Sequence, residues 1–83
     1  KADRHMKNLA LGDAAARVAD VLVDFAAGKD EVRIKQQEIA DLAGITRETA
    51  TRILNKLAGS GIIEISRGRI GIKKDGVLRE MCE

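Results

Sequence analysis

Between Gln36 and Leu54, two short segments with helical apolar spacing are separated by only Gly44-Ile45-Thr46. In the first segment Ile39, Leu42 and Ala43 fall on one side, and Ala40 is small enough for two helices to cross closely. Gly44 permits the left-handed backbone of a sharp turn, Ile45 plugs the corner, and Thr46 caps the helix that follows through its hydroxyl. In the second segment Ala50, Ile53, Leu54 and Leu57 point inward. Arg47, Thr51 and Asn55 form an outer stripe at i, i+4 and i+8, with Glu48 and Arg52 beside it. The pattern predicts a helix-turn-helix with an exposed polar face over 47–58.

The flanking segments complete one small domain. Ala14, Ala15, Val18, Val21, Leu22 and Phe25 make the apolar face of an earlier helix, with Asp13 as its cap and Gly28 as its end. A charged turn at 29–31 leads to a short strand, Val32-Arg33-Ile34. Gly59-Ser60-Gly61 stops the 47–58 helix. Ile62 to Ile65 and Arg69 to Ile72 read as a hairpin turning at Ser66-Arg67-Gly68, with Gly68 at positive φ. Asp75 is placed to cap a last helix holding Val77, Leu78 and Met81. The fold class is α+β: a winged helix-turn-helix over 13–83, with a three-helix core and a C-terminal β-hairpin wing. Because Phe25 is the only aromatic residue, the core must be aliphatic.

The formal net charge is +2, but the charge is unevenly distributed. Residues 1–32 carry five Lys/Arg against six Asp/Glu, whereas 47–74 carry seven basic residues against two acidic ones. The basic half is where a polyanion would bind. No apolar run approaches the length of a membrane span. The single cysteine, Cys82, excludes an internal disulfide and suits a reducing cytoplasm. One Cys and one His (His5) cannot hold zinc alone, so no metal site is expected. There is no Cys/His or Ser/His arrangement, no paired carboxylates in a pocket and no phosphate-cradling glycine loop, so an enzyme is not expected.

The residue types on the outer face suit DNA. Arginine donates two parallel hydrogen bonds to guanine, and glutamate accepts from cytosine N4. Thr49 and Thr51 can reach a phosphate or a thymine methyl. Lys56, Arg67, Arg69, Lys73 and Lys74 would add affinity that depends on salt and not on sequence. The bland alternative is a solvated helix face with Glu48 and Arg52 as an i, i+4 pair. A second functional class is a winged-helix protein-interaction module without DNA binding. Retention of Arg47 and of the basic wing argues against it.

Taken together, Asn8-Leu9-Ala10-Leu11-Gly12-Asp13 with Arg17, Gln37-Glu38-Ile39-Ala40, Gly44, Thr46-Arg47-Glu48-Thr49 with Arg52-Ile53-Leu54, and Gly61-Ile62-Ile63 form a specific combination. It resembles the C-terminal winged-helix domain of the Crp/Fnr transcription regulators over about Asn8 to Val77. The resemblance implies a dimeric bacterial regulator that binds an inverted-repeat operator in double-stranded DNA, with RNA polymerase as a further candidate partner. It implies an upstream sensory domain holding a small effector such as a cyclic nucleotide, with 1–12 as the hinge from it and no cofactor within this chain. By position, Arg47, Glu48 and Arg52 match the family's base contacts, with Thr51 beside them and a TGTGA-like half-site. Gln37, Ser66 and Arg67 match phosphate contacts; Lys35, Thr46, Thr49, Asn55, Lys56 and Arg69 are assigned to phosphate with them. Two positions depart from the pattern. Lys35 stands where a Thr or Ser cap is common, and Thr51 stands where relatives carry Gly or Ser.

Overall fold

The computed structural model describes residues 12–82. Helix α1, Gly12–Ala26, carries Ala15, Val18, Ala19 and Leu22 on a face with no exposed surface. It begins at Gly12, so Asp13 lies inside the first turn and is not the cap. There its negative charge still opposes the positive end of the helix dipole. The end also differs from expectation. Ala27 already adopts a left-handed φ of 49°, one residue before Gly28. Residues 1–11 of the hinge assigned to 1–12, with His5 and the Asn8–Leu11 part of the motif, lie outside the described residues, and Gly12 is the first residue of α1.

Two further helices follow the short strand β1, Glu31–Val32. These are α2, Gln36–Ala43, and α3, Arg47–Gly59, which ends one residue later than the spacing predicts. The same hydrogen-bonded device closes both. After α2, Gly44 takes φ 72°, its N–H donates to the Asp41 carbonyl, and the Ile45 N–H donates to the Ala40 carbonyl at 3.0 Å. After α3, Gly61 takes φ 78°, its N–H donates to Ala58, and the Ile62 N–H donates to Leu57. Carbonyls that the helix leaves orphaned are thereby satisfied, and an isoleucine is turned back against the core each time. Only glycine reaches that backbone without a Cβ penalty.

The sheet has the order β1-β3-β2 and is antiparallel throughout. β2, Ile63–Ser66, pairs with β3, Arg69–Ile72, in the register Ile63 to Ile72 and Ile65 to Ile70. These isoleucines share the inner face with Val32 of β1, which pairs with Ile70. Glu31, Glu64, Ser66 and Arg69 fall on the outer face, where Arg69 pairs with Glu31 at 3.1 Å and Lys73 with Glu64 at 3.0 Å. The last helix, α4, Asp75–Met81, buries Leu78. Lys74 occupies the cap position, so Asp75 is the first helical residue and pairs with Arg79.

The core joins α1, α2, α3, the sheet and α4 through Leu22, Ile39, Ile53, Leu54, Ile70 and Leu78. Three residues expected to be part of apolar faces are instead exposed: Phe25 (52%), Leu42 (56%) and Val77 (42%). Phe25 lies in the last turn of α1, and Leu42 and Val77 lie outside the buried arcs of their helices. Leu54→Ala should therefore cost about 3 kcal/mol, while Leu42→Ala stays within about 0.5 kcal/mol. Urea unfolding of the two variants measures the difference.

Candidate nucleic-acid interface

The start of α2, the start of α3 and the β2–β3 hairpin converge on one groove. Its volume is about 640 Å³. Lys35, Gln36 and Gln37 line it from α2, Arg47 from α3, and Ser66 to Arg69 from the hairpin. Ile34, Ile65 and Ile70 form its apolar floor. The first N–H groups of α2 have no partner within the helix, so the groove combines cationic side chains with the positive end of a helix.

Local chemistry sets each contributor. Lys35 is extended at φ −87°, ψ 153°, and its ammonium has no lone pair with which to cap. Glu38 supplies the reciprocal half of a capping box instead, its carboxylate accepting from the Lys35 N–H at 3.0 Å. The Lys35 ammonium stays exposed. Gln37 Nε2 donates to Asp41 Oδ1 at 3.0 Å, which leaves one of its two amide protons uncommitted.

At α3, Thr46 Oγ1 accepts from the Thr49 N–H at 3.1 Å and donates to Thr49 Oγ1 at 2.9 Å. The cap expected from the sequence is therefore formed, and it engages the Thr46 hydroxyl. Of the two threonines, Thr49 keeps a hydroxyl proton for a ligand. The next turn presents Arg47, Glu48 and Arg52, all exposed. Among the described residues none of the three forms a hydrogen bond or ion pair through its side chain, and the i, i+4 pairing of Glu48 with Arg52 is not made. Asn55 and Lys56 are exposed one turn further on, outside the groove. Thr51 differs from its neighbours. It is half-buried, and its Oγ1 donates to Gln36 Oε1 at 2.6 Å.

On the wing, Arg67 and Gly68 form a two-residue loop beyond the pair Ser66 and Arg69, and Gly68 has the expected positive φ. Arg67 is exposed and unpaired among the described residues, whereas Arg69 is already engaged by Glu31. Gln36 was not singled out from the sequence. The signal that could have marked it is a polar residue at the first position of α2, opposite the α3 stripe.

These elements define the class: a winged helix-turn-helix with an open, hydrogen-bond-ready recognition face. The pattern described as the Crp-like helix-turn-helix domain matches residues 16–81. The nitrogen fixation regulation protein FixK of Rhizobium meliloti is 33% identical over 88 residues, covering 99% of this chain and 42% of that protein. The cyclic AMP receptor protein of Thermus thermophilus is 34% identical over 50 residues, 60% of this chain and 23% of that one. The crystal structure of the Thermus thermophilus catabolite activator protein superposes with a TM-score of 0.79 at 32% identity, over 96% of this chain and 38% of that chain. The chain belongs to the Crp-like helix-turn-helix family, the DNA-binding domain of Crp/Fnr transcription regulators, which are not enzymes. It spans less than half the length of these relatives.

The Thr46 cap lends itself to a direct test. Thr46→Ala removes the acceptor for the Thr49 N–H and should lower stability by about 1 kcal/mol, seen as a shift in the urea midpoint.

Proposed function

We propose that the chain reads a TGTGA-like half-site by inserting α3 into the major groove of double-stranded DNA. The unpaired face of Arg47, Glu48 and Arg52, continuous with the cationic groove, carries this reading. Arg47 and Arg52, without partners among the described residues, have guanidinium donors suited to guanine O6 and N7. Glu48 has free acceptors suited to cytosine N4, and cations beside it offset its repulsion by phosphate. Lys35, Gln37, Thr49, Ser66 and Arg67 grip the backbone, with Asn55 and Lys56 extending the contact along α3. Arg69 contributes less because Glu31 offsets its charge. Thr46 acts chiefly through the cap.

In the whole regulator, two such domains would bind an inverted repeat with half-sites about one helical turn apart. One half-site gives modest affinity, and linking two raises it by effective concentration. The chain's similarity to the cyclic AMP receptor protein of Thermus thermophilus supports a small effector bound by an upstream domain. Contact with RNA polymerase and action in the bacterial cytoplasm belong to the same proposal. No helix among the described residues is long and apolar enough to cross a membrane.

Fluorescence anisotropy on a TGTGA duplex and a scrambled duplex, at two salt concentrations, tests the reading. The TGTGA duplex should bind more tightly, with affinity falling steeply as salt rises. Arg47→Ala should cost about 1–3 kcal/mol on the TGTGA duplex and relax specificity. Arg67→Ala should weaken both duplexes alike and reduce the salt slope by about 1. Equal binding to both duplexes by the unmodified chain would remove the half-site assignment.

A further inference from the structure

We propose that Thr51 is a positioning residue: its hydroxyl holds the Gln36 carboxamide so that Gln36 Nε2 donates to a DNA phosphate, and it does not read a base. The proposal rests on the DNA-binding reading above and replaces the base-contact role that the α3 stripe suggests for Thr51.

The bond between Thr51 Oγ1 and Gln36 Oε1 is 2.6 Å long and joins α3 to the first residue of α2. That length belongs to O–H···O bonds and is short for N–H···O. The carboxamide oxygen therefore faces Thr51, and the nitrogen end is turned from it. Gln36 Nε2 has no other partner among the described residues and keeps both donors. Gln36 also lines the groove with Lys35 and Arg47. The Lys35 ammonium attracts a phosphate as a point charge, and a fixed amide donor beside it adds direction. A glutamine already held in one rotamer loses less entropy when the anion arrives. Thr51 is half-buried and its hydroxyl proton is engaged, so a base would have to break this bond to use it as a donor.

The test uses the unmodified 83-residue chain, three single variants and one double variant, on the TGTGA duplex and on duplexes with each base pair of the half-site changed in turn. Thr51→Val keeps shape and methyl but cannot donate; Thr51→Ser keeps the donor and loses the methyl. Circular dichroism establishes that each variant is folded. Thr51→Val should lose about three- to tenfold in affinity, by the same factor on every duplex. The salt slope should stay constant because no charge is removed. Thr51→Ser should recover the affinity. Gln36→Ala should show a similar loss, and adding Thr51→Val to it should cost nothing more.

Unchanged affinity for Thr51→Val would overturn the proposal and leave the bond as a tie between helices. A loss confined to one base pair would overturn it in favour of base reading, and additive losses would break the link to Gln36. Absence of binding by the unmodified chain at low salt would instead sink the DNA-binding reading, and this proposal with it.

Discussion

Everything that the recognition face presents depends on the three-residue corner between α2 and α3. Gly44 turns the backbone left-handed, Ile45 bonds back to Ala40, and Thr46 immediately caps the next helix. Each of the three residues has a separate job and none is spare. Ala40 and Ala50, one on each helix, have no exposed surface. With the link this short and the inner faces this closely packed, the direction of α3 follows from that of α2. The side chains of Arg47, Glu48 and Arg52 are aimed by the corner.

Charge follows from the same frame. The basic residues between 47 and 74 look equivalent in sequence, yet the fold sorts them. Arg69 and Lys73 face the outer side of the sheet and meet Glu31 and Glu64 there. Arg47, Arg52 and Arg67 are left without partners among the described residues. Exposed ion pairs contribute little to stability. Their larger effect is to offset two cations, one of them the groove-lining Arg69, so that Arg47 and Arg67 are the groove arginines left without partners among the described residues.

How much of this could be read in advance depended on whether a feature was local. The helix-turn-helix was legible because its signals lie within a few residues: Gly44 for the turn, Thr46 for the cap, and an apolar spacing that buries Ile39, Ala50, Ile53 and Leu54. The hairpin was legible because Gly68 sits between two isoleucine runs. Periodicity misled at Phe25, Leu42 and Val77, since spacing gives a side of the helix but not where the opposing layer stops. The Thr51–Gln36 bond was hidden for a related reason. It joins residues 15 apart, and its existence depends on the angle between two helices. The pairing of Arg69 with Glu31 was hidden too, because nothing near either residue announces that β1 lies against β3.

That placement of β1 has a consequence for how the molecule assembles. β3 is the middle strand, and its partner Glu31–Val32 precedes the whole helix-turn-helix in the chain. β1 meets β3 only when the intervening segment, which holds α2 and α3, has brought its ends together. Contacts of such long sequence separation form late, because loop closure must come first. The hairpin is therefore not an appendage with a life of its own. Its inner isoleucines, Ile63, Ile70 and Ile72, belong to the same core as Leu22, Ile53 and Leu54, so loss of helical packing removes the surface on which the wing rests.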